Sequence, residues 1–192
     1  MPDALCHALA RALIGDPFYR AVTDRAGDEG ARLDLLARYL DASRTEARVI
    51  GMVEEEGAQA GAFWHLPGIA AEVADAATKA KKAAFLGSIG AEGLAAYETL
   101  CAAMAAQTPR ALTSAWYLSI LGTDPAAQGQ GLASRLLSRT LTRADAARAV
   151  SYLETFNRAS LPFYARHGFT EAKALDDPGT GQPYWLLVRP AR

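Results

Sequence analysis

The stretch from Trp116 to Leu137 restricts the fold more than any other part of the chain. Trp116-Tyr117-Leu118-Ser119-Ile120-Leu121 is apolar, aromatic-rich and of strand length. The run continues through Gly122-Thr123, stops at Asp124-Pro125 and passes through Gly129-Gln130-Gly131. It resumes as a helix, with Leu132, Leu136, Leu137 and Leu141 at helical spacing. A strand that feeds a glycine-bearing loop at a helix start is an anion-binding arrangement. Glycine lets the backbone approach a ligand, and the N–H groups of the first turn have no partners inside the helix. A phosphate placed there gains charge-assisted hydrogen bonds and the positive end of the helix dipole.

Two familiar phosphate loops fit poorly. A P-loop needs Gly-Lys-Ser/Thr after its glycines, and none follows. A dinucleotide fingerprint finds Gly129-x-Gly131, with Glu154 roughly where a ribose-binding acid belongs. Its third small position, however, is Ser134, and Asp124 to Gln128 separate the strand end from the first glycine. No clear βαβ series opens near the start of the chain.

Composition narrows the class. The 192 residues, 51% of them hydrophobic and with a net charge of −1, suit one domain over 1–192 with a sizeable core. There is no basic surplus to suggest nucleic acid or anionic lipid as a partner. Cys6 and Cys101 form no CxxC pair, and no His/Cys/Asp cluster has metal-ligand spacing, so neither a disulfide framework nor a metal is expected. Met1-Pro2-Asp3 lacks the basic start of a signal peptide, and no apolar run of about 18 residues exists. A cytoplasmic protein with no membrane partner is the expectation.

Taken in order, the pattern predicts a helix over 3–15, ended by Gly15-Asp16-Pro17, and another over 28–42. A hairpin follows, with arms at 49–53 and 60–66 and Glu54-Glu55-Glu56 in a solvated turn. The alanine-rich span from Pro67 to Gln107 predicts helices over 68–84 and 91–106, broken near Gly87-Ser88-Ile89-Gly90. Lys79, Lys81 and Lys82 read as a wet helix face, with a ligand entrance as the alternative. A strand over 115–123, a helix over 131–147, a strand over 150–155 and a short helix from Asn157 or Ser160 to about His167 come next. Gly168 stands where a left-handed C-terminal cap belongs. Strands over 169–174 and 184–188, with a turn across Asp176–Gly181, close the chain. Trp116 reads as core, and His65 as either a pocket wall or an exposed strand end.

Read as Gln128-x-x-Gly131-x-Ala133, the loop resembles the acyl-CoA-binding motif of the GCN5-related N-acetyltransferases, Gln/Arg-x-x-Gly-x-Gly/Ala. Asn157, Tyr164 and Gly168-Phe169 resemble the second signature of that family, Asn-(x)6-Tyr-(x)3-Gly-Phe. The likeness is greatest to puromycin N-acetyltransferase-type members, over residues 115–170; upstream, agreement is in outline. The resemblance implies an α/β fold with a mixed, mostly antiparallel central sheet, splayed between the family's fourth and fifth strands and flanked by helices. Members usually begin with a strand, and none is evident ahead of the first helix. Either the sheet lacks that edge strand or the true start lies upstream.

The resemblance further implies acetyl-CoA as co-substrate and a primary amine as acceptor, of a small molecule, with homodimerisation left open. Leu121, Gly122 and Thr123 fall where the splayed strand would pair with the pantetheine arm, although a bulge explains Gly122 almost as well. Gln128, Gly129, Gln130, Gly131, Leu132, Ala133 and Ser134 would cradle the pyrophosphate, and Asn157 would bond the pantetheine or adenine end. Tyr164 matches the family's general acid, a phenol able to protonate a thiolate. By itself an aromatic in Pro-Phe-Tyr would read as packing. Glu154 is the candidate base for the ammonium proton, against the alternative of a strand-end acid in a salt bridge. Two other readings stay open: a CoA-binding sensor or interaction module without turnover, and a protein N-terminal or lysine acetyltransferase.

Overall fold

A computed structural model describes residues 1–177 and 179–192; of Arg25 and Glu171 only the backbone is described. Three helices come first, α1 (Ala4–Leu13), α2 (Pro17–Thr23) and α3 (Glu29–Ile50), followed by the hairpin β1 (Gly51–Glu56) and β2 (Ala60–His65). Then come α4 (Ala71–Gln107), β3 (Trp116–Thr123), α5 (Leu132–Ala146), β4 (Ser151–Thr155), α6 (Leu161–Arg166), β5 (Glu171–Asp177) and β6 (Gln182–Arg189). The strands form one six-stranded sheet in the order β1-β2-β3-β4-β6-β5, antiparallel except where β3 meets β4. No strand precedes α1 among the described residues. No described helix is long and apolar enough to cross a membrane.

Strand alternation sends side chains to two cores. Phe63 and Ile120 face α1–α4 and join Leu9, Leu36, Leu40 and Phe85. Trp64, Leu118, Leu153 and Leu187 face the other way and meet Leu132, Leu136, Leu137 and Leu141 of α5. Each of those buried leucines contributes about 1.5–3 kcal/mol over its exposed state. The leucine spacing that predicts α5 is thus the stripe that docks it.

Four sequence-based expectations need correction, and each has a physical cause. The helix expected to end at 42 runs on to Ile50. Its polar segment stays helical because the charges are paired: Arg44 binds Asp3, Asp41 and Glu55, and Glu46 binds Lys81 and Thr78. It ends at Gly51, where any Cβ would lie 1.9 Å from the Trp64 carbonyl oxygen. Glu54, Glu55 and Glu56 lie in β1 rather than in the turn, which falls at Gly57–Gln59. They pair with Arg139 and Arg143, with Arg48, and with Arg135 and Arg139, respectively. Asp16-Pro17 stops α1 but also starts α2, with Asp16 accepting from the Phe18 N–H at 2.9 Å and proline at the first helical position.

The fourth correction concerns α4. Its 37 residues are interrupted by a reversal at Gly90 (φ 69°, ψ 175°). The two arms fold back on one another, so that Lys82 meets Glu98 at 2.8 Å and Phe85 meets Tyr97 edge-on at 5.1 Å. The two helices expected here are real as arms, with the break at Gly90 alone. Lys81 does not face water: it is 9% exposed and points between the arms. The turn expected across Asp176–Gly181 includes Pro178, which lies outside the described residues. On either side, β5 continues to Asp177 and β6 begins at Gln182.

Candidate active site

The site begins where two strands part. β3 and β4 pair only from Trp116–Ser151 to Leu118–Leu153, yet β3 continues to Thr123 and β4 to Thr155. Beyond Leu118 the β4-facing edge of β3 has no strand partner. A cavity of about 540 Å³ opens at this fork, between Tyr117–Leu121 of β3 and Tyr152–Phe156. Leu13, Asp16 and Tyr19 close it on one side, and the second arm of α4 and the segment through Thr113 on another.

Glu154 and Tyr164 both line this cavity, with Leu121. Glu154 accepts hydrogen bonds from Tyr117 Oη (3.1 Å) and Thr108 Oγ1 (3.2 Å), and no basic side chain pairs with it among the described residues. The salt bridge weighed as its alternative role is therefore absent there. Burial pushes its pKa up, more than the two hydroxyls pull it down. A carboxylate with a raised pKa and no counter-ion is suited to take a proton.

Tyr164 sits at the fourth position of α6, 9% exposed. Burial chiefly, and then the nearby Asp16 carboxylate, push its pKa above the ordinary phenol value, so its O–H stays protonated. Asp16 is itself raised to about 6 by burial, against the helix N–H groups it caps. Gly168 holds φ +90° just after α6, the conformation expected of it.

The glycine loop lies outside the cavity lining. Asp124 accepts from the Ala126 N–H at 3.0 Å, pairs with Arg11 and starts a short 3-10 turn, Pro125–Ala127. Gln128 reaches back to the Thr123 carbonyl at 3.4 Å, drawing the loop closed. Gly129 (φ +79°) and Gly131 (φ +74°) take left-handed conformations, and Gly131 is the N-cap of α5. That cap brings no side-chain acceptor, and the first turn of α5 holds no acid. The dipole end over Leu132, Ala133 and Ser134 thus stays positive, which fits a pyrophosphate. Arg135 donates to the Gln130 carbonyl (3.1 Å), and Ser134 meets His167 Nε2 at 3.2 Å.

Of three other candidates, Gly122 and Asn157 have local structural roles. A Cβ on Gly122 would meet Leu9 Cδ2 at 2.8 Å, so α1 packs on this strand end. Thr123 has its Oγ1 buried without a partner. Asn157 caps a short turn, its Oδ1 accepting from the Ala159 N–H at 3.0 Å. None of the three lines the cavity.

Sequence reasoning missed a buried ion pair beside the cavity, Lys81–Glu46, although His65, read as a possible pocket wall, does line that cavity. Lys81 Nζ lies 2.7 Å from Glu46 Oε2 and 5.6–5.7 Å from the ring centres of Tyr39, Phe85 and Tyr97. Thr78 donates to Glu46 Oε1 at 3.1 Å. His65 Nε2 is 3.8 Å from Glu46 Oε2 and its ring meets Tyr117 edge-on at 5.6 Å. The only sequence signals were Glu46 in a polar run beyond the expected end of its helix and a lysine among alanines and aromatics.

Burial, helped by Lys81 and opposed by Glu46, lowers the His65 pKa from 6.5 to about 4. Between those values the unfolded chain holds a proton that the folded chain lacks, so His65 costs stability as pH falls through that window. Asp16 opposes this below about 6, because its raised pKa lets the folded chain hold the extra proton. Comparison with His65→Gln isolates the histidine. The stability advantage of the wild type in urea melts is expected to shrink as pH falls from about 6.5 to 4. A pH-independent difference would contradict the neutral, buried ring.

Residues 92–171 match the family described as Acetyltransferase (GNAT) domain. A Corynebacterium glutamicum structure, described as histone acetyltransferase HPA2 and related acetyltransferase, superposes with a TM-score of 0.65 at 19% identity. That alignment covers 98% of this chain and 90% of the other. A second acetyltransferase structure gives 0.53 at 19% identity, over 97% and 95% of the two chains. An apo-form mutant of an agmatine N-acetyltransferase gives 0.51 at 12%, over 95% and 90%. The chain has the GNAT fold, and its residues 92–171 match that family's acetyltransferase domain.

Proposed function

We propose that this chain transfers the acetyl group of acetyl-CoA to a primary amine of a small molecule by direct attack. Glu154 takes the ammonium proton and Tyr164 donates its O–H to the departing sulfur. The observation that carries this reading is the fork: one cavity presents an unpaired carboxylate and a buried phenol, one strand-edge away from a helix start suited to pyrophosphate. Gly129 to Ser134 would hold the phosphates, and the free edge of Ser119–Thr123 would align the pantetheine arm. Acetyl-CoA supplies the activated thioester.

An ammonium of pKa roughly 8–10 is protonated at neutral pH and must lose a proton before it can attack. Glu154 accepts that proton; the C–N bond forms and the C–S bond breaks. The raised pKa of Tyr164 keeps its hydrogen in place to stabilise the thiolate, and water restores the phenol after the proton follows sulfur. On the way from ammonium to amide the nitrogen loses two protons: one balances the proton that sulfur receives, and the other passes from Glu154 to solvent. Walls formed by the folded-back arm of α4 favour a compact acceptor over a protein segment, as does the puromycin-type likeness of residues 115–170.

Calorimetry with acetyl-CoA, NADH and ATP is the first test. Saturable binding of acetyl-CoA alone is expected, while binding of NADH instead would return Gly129-x-Gly131 to a dinucleotide role. With puromycin-like and simpler amines as acceptors, Tyr164→Phe is expected to keep acetyl-CoA affinity and lose transfer. Binding without transfer to any amine or peptide would leave a CoA-binding module.

A further inference from the structure

We propose that the acceptor is a primary amine carried on an aromatic or similarly flat apolar body that bears no carboxylate or phosphate. This rests on the transferase reading and names its substrate class. Tyr117 and Tyr152, at paired positions of β3 and β4, stack at 4.7 Å and 22° in the cavity wall. Tyr117 carries its hydroxyl to Glu154, so the ring wall leads directly to the carboxylate. Facing rings come from α2 and α4: Phe18 meets Tyr19 edge-on at 5.2 Å and Tyr97 at 6.2 Å, and all three line the same space. Rings in such walls offer faces and edges to another ring. The volume, about 540 Å³, lies in the range that holds ligands larger than a short aliphatic amine.

Charge excludes the acidic alternatives. Glu154 and Asp16 line the cavity, and among the described residues neither has a basic partner. The lining contains two cations. Lys81 is held by Glu46 at 2.7 Å and enclosed by three rings, and Arg110 is exposed at the rim. His65 is neutral there through burial. An anionic substituent drawn inside would meet two carboxyls and no free inward cation, whereas an ammonium supplies the counter-ion that Glu154 lacks. An aliphatic diamine would match both acids but leave the rings uncovered.

The test uses 2-phenylethylamine, L-phenylalanine, butylamine and butane-1,4-diamine, with binding measured by calorimetry and kcat/KM measured at saturating acetyl-CoA. The ring-bearing monoamine is expected to exceed each of the others by at least about tenfold in both measures. Tyr152→Leu is expected to cut that advantage over butylamine, the loss falling more heavily on phenylethylamine, and Tyr152→Phe to retain it. Phenylalanine as the better acceptor would overturn the proposal and point to Arg110 as a carboxylate anchor. A preferred diamine would overturn it in favour of Asp16 and Glu154 reading two cations. Transfer to such acceptors with phenylethylamine inert would spare the transferase reading. Selective binding of phenylethylamine with no transfer would remove that reading and leave the ligand class standing.

Discussion

Glu154→Gln is expected to lower kcat/KM for acetyl transfer at pH 7 by about 10²–10⁴-fold, the usual worth of a positioned general base. The substitution is nearly isosteric. One amide atom still accepts a hydrogen bond, and the hydroxyls of Tyr117 and Thr108 can rotate to suit the other. Acetyl-CoA affinity is expected to be unchanged, because Glu154 lies away from the glycine loop. Two further measurements separate catalysis from damage. In the wild type the acid limb of the pH–rate profile should lie above the ordinary carboxylate range, following the raised pKa, and the variant should lack it. The deficit should narrow as pH approaches the amine pKa and free amine becomes plentiful. Stability gives the second readout. A carboxyl whose folded pKa is raised costs stability once pH exceeds its unfolded value, so the glutamine variant should be at least as stable at pH 7. A deficit below about threefold at pH 7, with the acid limb kept, would assign proton removal to water.

Lys81→Ala is expected to cost about 3–5 kcal/mol of folding stability, because it strands the Glu46 carboxylate in the interior. Only Thr78 and His65 would remain beside that charge. The alanine also removes the ammonium from between Tyr39, Phe85 and Tyr97, which loosens the junction of α3 with both arms of α4. The pair is predicted to matter less than either member alone: Glu46→Gln combined with Lys81→Met should recover most of the loss, since no buried charge is then unpaired. Urea melts of the two single variants and the double variant close the cycle. Additive losses would show that the ion pair is not the unit being broken.

Legibility followed the range over which each residue is decided. The strand–loop–helix from β3 to α5 was readable because its signals are adjacent: an apolar run, Asp-Pro, two glycines and leucines at helical spacing. A break near Gly90 and the cap at Gly168 were readable for the same reason, though not the reversal that the break makes. Lys81 was not, since its burial depends on Glu46, and the two lie in helices separated by a hairpin. Without that partner a lysine on an alanine-rich helix reads as solvated, as Glu54 and Glu56 do without the arginines of α5 and Glu55 without those of α3. The extension of α3 to Ile50 was hidden likewise, because Arg44 and Glu46 look like loop composition until their counter-charges are placed. In the site, Tyr164 could be named through the family resemblance and Glu154 as a strand-end acid, but their shared cavity and the hydroxyl partners of Glu154 come from the fork. Gly122 illustrates the limit: its neighbour Leu9 belongs to a helix at the other end of the chain.

The parting of β3 and β4 carries an evolutionary consequence. A slot bounded by main-chain amides and carbonyls offers every sequence the same donors and acceptors, whatever side chains the two strands carry. Drift within Ser119–Thr123 is then tolerated as long as the divergence after Leu118 survives and the outward-facing packing is kept. On the proposed transferase reading, selection can rework the aromatic end of the cavity for a new acceptor while the other end stays serviceable. A binding groove written in backbone geometry outlasts the sequence that first folded it.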